Sequence, residues 1–329
     1  MTEPARSLAV VVLTWNGRRD TLDCLVSLRR SGYLDRPHKT FVVDNGSADG
    51  TEEAVRRAFP EAEFVQNGAN LGFAGGNNAG MRRALEQDFP LVLVLNNDVA
   101  VPPSGLEPLV AFLEENPRAG AVQPLLVRPG PGPSPMVDSL GQGLLAPLGV
   151  LDVGAGEPLA LKDFSPREIF GVCAAAACYR AEALREAGLF NEDLFLLLED
   201  VDLSFRIRCH GWTIHLVPRG RVVHKRGVSG NPKRSRASLY RSHANRLYLA
   251  LAYWPLRHLL VFSPEFGYSL LRAMHYGSGP GERRRALALW ASALRDRRRL
   301  ARLPGYRDTL RRWLPGVREG VFGPRGVKA

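Results

Sequence analysis

Three carboxylates fall within four residues at Glu199-Asp200-Val201-Asp202, between the apolar runs Phe195 to Leu198 and Leu203 to Phe205. Acids this close raise one another's pKa unless a cation or backbone amides compensate. Partly buried at a cleft, one of them suits a general base. On an open surface the same triplet only decorates a helix start, where the macrodipole favours acids. A second polar group, Asn96-Asn97-Asp98, ends the apolar run Leu91 to Leu95, and Asp98 is its sole carboxylate. A hard divalent cation takes oxygen ligands of this kind. His224 follows Val222-Val223, where it is either a metal ligand or a packed residue at a strand end. Polar residues also close two earlier apolar runs, as Thr14-Trp15-Asn16 and Asp44-Asn45.

The elements that must hold these residues follow from the hydrophobic pattern. Leu8 to Thr14 is a continuous β-branched run, as in a strand buried on both faces of a parallel sheet. Leu22, Leu25, Val26 and Leu28 then recur at helical spacing. Strands are predicted at Thr40 to Val43, Glu63 to Gln66 and Leu91 to Leu95, with helices from Thr51 and over Gly75 to Glu86. This alternation predicts an α/β fold with a doubly wound, mostly parallel sheet. Ligands of such sheets sit beyond the carboxyl ends of the strands, where the polar groups lie. Gly-rich Gly72 to Gly80 opens a helix, so its amides either face phosphate or permit close packing. No GxGxxG follows the first strand and no Gly-Lys occurs, which disfavours both a dinucleotide fold and a P-loop.

Further along, Arg128 to Pro135 (RPGPGPSP) predicts a loop. A buried strand is predicted at Ile169 to Ala177, a helix at Arg180 to Ala187, and short strands at Thr213 to Val217 and Arg221 to Val223. The four cysteines are too few and too scattered for a disulfide framework, so buried reduced thiols are expected.

The net charge of +11 is unevenly placed: residues 1–218 carry 19 basic and 28 acidic side chains, whereas residues 219–329 carry 25 and 5. The basic excess therefore belongs to the C-terminal third. No stretch reaches the roughly 20 apolar residues that span a bilayer, and no signal peptide is evident. These features lead to the expectation of a cytoplasmic chain, peripheral on the inner face of the cell membrane. Leu287, Trp290 and Leu294 share a helical face with arginines at both ends, the pattern of a helix lying in a membrane interface. Nucleic acid is disfavoured because these arginines are interleaved with Leu and Ala, with few stacking aromatics.

Five segments in order resemble the family 2 glycosyltransferases of GT-A fold, in particular the rhamnosyltransferase-like branch: Val11 to Gly17, Val42 to Thr51, Asn70 to Gly80, Val94 to Val99 and Leu197 to Trp212. The resemblance implies an inverting, metal-dependent transfer of a single sugar, rhamnose first, from a dTDP- or UDP-linked donor to a glycan or polyprenyl-linked acceptor. It implies that Thr14, Asn16, Asp44, Asn70, Gly72, Asn77, Asn97 and Asp98 line the nucleotide-sugar site. It places Asp98 and His224 at a Mg²⁺ or Mn²⁺ ion, although Asn96 stands where the family's metal motif has its leading acid. Asp200 takes the position of the general base, with Glu199 beside it. The catalytic domain would occupy residues 1–234, with a nucleotide-sugar half to about 123 and an acceptor half to 234. A basic helical region would then fill 235–329. The alternatives are a sugar-phosphate nucleotidyltransferase, which would want a Gly-rich first loop with a following Lys or Arg, and a non-catalytic glycan- or membrane-binding module. A processive synthase would carry several membrane spans and a QxxRW motif, and neither is present.

Overall fold

In a computed structural model, the structure describes residues 8–32, 38–130, 134–145, 149–159, 165–226, 235–261, 263–277, 279–314 and 321–322. The first half alternates as the pattern requires: β1 (Leu8–Thr14), α1 (Arg18–Arg30), β2 (His38–Asp44), α2 (Thr51–Ala58), β3 (Glu63–Gln66), α3 (Gly72–Glu86), β4 (Leu91–Asn96), β5 (Val99–Ala100) and α4 (Glu107–Glu115). Then come β6 (Ala119–Arg128), β7 (Met136–Ser139), β8 (Gln142–Leu145), β9 (Gly149–Asp152), β10 (Arg167–Glu168), β11 (Ala176–Arg180), α5 (Ala181–Ala187), α6 (Glu199–Cys209) and β12 (Thr213–His224). The chain ends in α7 (Arg236–Tyr253), α8 (Leu256–Val261), α9 (Ser263–Tyr276), α10 (Pro280–Leu300), α11 (Tyr306–Trp313) and β13 (Val321–Phe322).

The main sheet runs β10-β12-β6-β11-β4-β1-β2-β3, with β5 on β12 and β7 on β6. β3, β2, β1 and β4 pair in parallel, as do β6 and β12, while β11 enters antiparallel between β4 and β6. One apolar layer lies against α1, α2 and α4, and a second against α3, α5 and α6. β1 and β4 are buried on both faces, which is why they read as unbroken apolar runs.

Helix α3 begins at Gly72, three residues before the expected start. Gly72 has φ +73°, and a Cβ there would collide with Phe195. Gly80, two turns on, lies so close to Val11 and Val43 that no side chain fits between. Gly80 thus serves close approach of the helix to the sheet, and Gly72 its close approach to the chain at Phe195.

Three expectations are corrected. The stretch Ile169 to Ala177 is not one strand: β10 ends at Glu168 and β11 starts at Ala176. Between them the backbone N–H groups of Val172, Cys173 and Ala174 donate to side chains (Ser204, Gln123 and Asp200), leaving no ladder for a strand neighbour. Conversely, Thr213 to Val217 and Arg221 to Val223 form one strand, β12, whose register on β6 shifts between Val217 and Arg221. The shift sits opposite Pro124 of β6, which has no N–H to give. Finally, Trp290 does not face outward. It is buried against α7, its Nε1 donating to the Ala244 carbonyl at 3.0 Å, while Leu287 and Leu294 are exposed.

The C-terminal helices share a third apolar cluster with α6, joining Val201 and Phe205 to Tyr248, Tyr253, Trp290 and Trp313. Phe205 and Tyr253 stack at 4.1 Å. No helix among the described residues is long and apolar enough to cross a membrane. All four cysteines are free.

Candidate active site

The carboxylate triplet opens α6, and the turn before it is held in an uncommon conformation. Phe195, Leu197 and Leu198 all have positive φ (62°, 76° and 72°). Such backbone costs on the order of 1–3 kcal/mol per residue unless its surroundings hold it. Here they do. Asn245 of α7, buried, directs Nδ2 at the carbonyls of Leu194, Leu196 and Leu197 (3.0, 3.1 and 2.7 Å). The Phe195 carbonyl accepts from Ala74 N in α3, and Arg241 lies 3.9 Å over the Phe195 ring.

This turn aims the three acids differently. Asp200 Oδ2 accepts from Gln142 Nε2 at 2.8 Å and from Ala174 N at 3.2 Å, and Oδ1 from Val201 N at 2.8 Å. Burial pushes the Asp200 pKa up, and these donors only partly pull it back. Glu199 is also buried and raised, first by desolvation and then by the Asp200 charge, and its Oε2 has no partner. The three donors favour the ionised form of Asp200, whereas burial and the neighbouring acids favour the neutral form of Glu199. Asp202 turns inward to a structural pair: Oδ2 meets Arg206 at 2.7 Å and Oδ1 accepts from Tyr253 Oη at 2.7 Å.

A second network lies at the far end of β12. His224 Nε2 is 3.3 Å from Asp98 Oδ1, and Nδ1 is 2.8 Å from Asp138 Oδ2. Arg226 bridges Asp138 (2.5 Å) and Asp152 (3.7 Å). Burial alone would push His224 down, but the two carboxylates outweigh it and raise its pKa to about 9. Burial also favours neutral Asp138, yet His224 and Arg226 hold it below the usual range. Asp152 rises to about 6 through burial and the charge of Asp200, which ties this network to the α6 acids.

Among the described residues no three His, Cys, Asp or Glu side chains converge as a complete metal cage. Asp98 and His224 nevertheless fit as two ligands of an ion completed from outside. Their polar atoms face each other, and His224 is fixed through its other nitrogen by a carboxylate, the usual orientation of a ligating imidazole; the proton that His224 shares with Asp98 would leave as an ion bound.

The expected nucleotide-sugar residues gather at the carboxyl ends of β1, β2 and β4. Thr14 Oγ1 accepts from Thr21 Oγ1 at 2.8 Å and from Asn97 Nδ2 at 3.3 Å, which joins two of these ends. Asn16 Oδ1 accepts from Ala48 N at 2.8 Å, bridging to the loop after β2. Asp44 is fully buried and accepts from Ser47 and from Gln66 Nε2 at 2.8 Å. Asn70 caps Gly72 N at 2.9 Å. Asn77 is buried with its Oδ1 unpartnered, a polar atom without a protein donor. An open cleft of about 860 Å³ lies beside this group, lined by Asn16, Gly17, Arg18, Asp49 and Lys225 among others. Of the expected residues only Asn16 lines it; the Asp200 side chain belongs to the separate α6 group.

Sequence reasoning missed Gln142, Asp138, Asp152 and Asn245. The first three lie on β7 to β9, four-residue strands in a Gly- and Pro-rich segment with no period to mark them. Asn245 carried a signal, a polar side chain amid the apolar positions of α7.

Residues 9–188 match the model of the family described as "Glycosyl transferase family 2". An N-acetylglucosaminyl-diphospho-decaprenol L-rhamnosyltransferase of Mycobacterium tuberculosis is 29% identical over 261 residues, 74% of this chain and 84% of the relative. The low-salt glycan biosynthesis hexosyltransferase Agl10 of Haloferax volcanii is 22% identical over 240 residues, 73% and 74% of the two chains. Among solved structures, GalNAc-T7 with UDP, GalNAc and Mn²⁺ superposes with a TM-score of 0.66 at 16% identity, over 94% of this chain and 56% of that one. The mannosyltransferase PcManGT of Pyrobaculum calidifontis, with GDP-Man and Mn²⁺, gives 0.51 at 18% identity, over 93% and 83%. These likenesses establish the GT-A fold.

Proposed function

The chain belongs to glycosyl transferase family 2, and on that premise we propose that it moves one sugar, L-rhamnose, from a nucleoside diphosphate to a hydroxyl of a diphospho-polyprenol-linked saccharide, with inversion. The mycobacterial relative supports both the sugar and the lipid-linked acceptor. The observation that carries the reading is the setting of Asp200, whose carboxylate accepts from Gln142 Nε2, Ala174 N and Val201 N at the start of α6, beside buried Glu199, whose Oε2 has no partner.

The acceptor oxygen attacks the anomeric carbon as the bond from that carbon to the diphosphate oxygen breaks. The electron pair leaves with the diphosphate, and Asp200 takes the acceptor's proton. The donors on Asp200 favour its ionised form and fix its direction, so little reorganisation is needed when the proton moves. Burial raises its basicity above that of a free aspartate. Asp98 and His224 would hold a divalent ion, Mg²⁺ or Mn²⁺, which when bound supplies charge neutralisation to the leaving diphosphate. Asp138 keeps the His224 ring aimed at that position. Thr14, Asn16, Asp44 and Asn97 order the strand-end loops around the donor, and Asn70, Gly72 and Asn77 place the start of α3 beside it.

The test is Asp200→Asn. Rhamnosyl transfer should fall to background while calorimetry with the nucleotide-sugar reports unchanged affinity. Turnover near that of the wild type would remove Asp200 as the base.

A further inference from the structure

The outer side of the C-terminal helices exposes more apolar surface than a solvated helix layer needs. Leu256 and Leu260, one turn apart on α8, are 69% and 75% exposed. Tyr268 and Leu271 share a face of α9, at 56% and 70%. On α10, Leu287, Ala291 and Leu294 form an exposed stripe at helical spacing, while Ala286, Leu289, Trp290 and Ala293 turn inward to α7. α9 and α10 both rest on α7, and they meet at Tyr240: its hydroxyl donates to the Glu282 carbonyl, and Gly277 lies against its ring. The apolar residues of α9 and α10 thus belong to one helical layer, and α8 packs beside them on α9. Exposed arginines border the stripe, with Arg283 and Arg284 before it and Arg295 and Arg298 after it.

We propose that the outer face of α8, α9 and α10 docks on the surface of a bilayer that carries anionic phospholipid. The leucines and Tyr268 enter the boundary between headgroups and acyl chains, and the α10 arginines meet lipid phosphates. Charge selects this occupant over a second copy of the chain. Among the described residues from 236 to 300, Glu265 is the one exposed acid, against exposed Arg236, Arg283, Arg284, Arg285, Arg295, Arg298 and Arg299. Two such faces would set arginine against arginine, whereas a negative membrane surface attracts every one of them. Nucleic acid would use the arginines but leave the leucines in water. No described helix is built to cross the membrane, so the layer lies on it.

Co-sedimentation of the full chain with vesicles tests this, using phosphatidylcholine alone or mixed with phosphatidylglycerol, at low and high salt. The wild type should sediment with the mixed vesicles and much less with phosphatidylcholine or in high salt. Arg284→Glu/Arg295→Glu/Arg298→Glu should weaken binding on the order of a hundred-fold, since each surface arginine is worth about five-fold. Leu260→Glu/Leu271→Glu should weaken it about ten-fold or more. All five positions are solvent-exposed, so thermal unfolding should match the wild type. Failure of the wild type to sediment, or equal sedimentation of wild type and both variants, overturns the proposal. So does a concentration-dependent dimer that Leu260→Glu/Leu271→Glu disperses, or binding to RNA in place of vesicles. Transfer to a water-soluble short-chain acceptor is measured alongside. Its absence with sedimentation intact would count against the sugar-transfer reading and leave the membrane surface standing.

Discussion

Gln142→Met removes one donor from Asp200 while keeping the length of the side chain. In the wild type Gln142 Nε2 donates to Asp200 Oδ2 at 2.8 Å, stabilising the ionised form that burial disfavours. A hydrogen bond to a charged group is worth about 1.5–3 kcal/mol. At about 1.4 kcal/mol per pKa unit, its loss raises the Asp200 pKa by about 1–2 units. The base must be ionised to accept a proton, so the acidic limb of kcat/KM against pH should move to higher pH by that amount. The plateau above the new pKa should survive, because Ala174 N and Val201 N still orient the carboxylate. The fold should tolerate the change, since Gln142 Oε1 is buried without a partner and methionine removes that cost. The assay is rhamnosyl transfer across the pH range at saturating donor, with thermal unfolding as a control. A limb that stays in place while the plateau drops would refute the reasoning and make Gln142 a packing residue.

Asp98→Ala should weaken donor binding in the presence of Mg²⁺ or Mn²⁺ but leave metal-free binding unchanged, as read by titration calorimetry; equal affinities would take Asp98 away from the metal. Asn245→Leu strips the donor from three carbonyls of the turn before α6, so kcat should fall more than KM changes, and Asn245→Gln should recover part of the loss. A variant with normal kcat would show that the turn holds itself. Asp202→Ala leaves buried Arg206 without its carboxylate and should cost about 3–5 kcal/mol in urea denaturation, whereas a loss under 1 kcal/mol would mean that the Ala187 and Leu189 carbonyls satisfy Arg206 alone.

The parts of this site that were legible in the sequence are those written in contiguous residues. β1 and β4 are apolar throughout because both faces are buried, and the polar residues after them had to lie at the carboxyl end of the sheet. The acidic cluster Glu199-Asp200-Val201-Asp202 stood out because it lies between apolar segments, and the family resemblance then pointed to Asp200 within it. Its holders did not stand out. Gln142 is 58 residues away and Asp138 is 86 residues from His224, each on a four-residue strand too short to carry a period. The strand misread at Ile169 to Ala177 has the same origin: its composition is that of a strand, but its N–H groups are claimed by side chains from elsewhere.

Helical spacing likewise grouped Leu287, Trp290 and Leu294 on one face, and the fold divided them by packing Trp290 against α7. Sequence alone established the alternating α/β order, the strand ends that carry polar groups and the division of charge between an acidic body and a basic tail. These are properties of neighbours along the chain. Tertiary structure decided which acid of the α6 triplet meets Gln142 and which is locked to Arg206, what fixes the turn before them and which leucines remain outside. Those outcomes depend on donors and packing surfaces that meet only when distant segments close on one another.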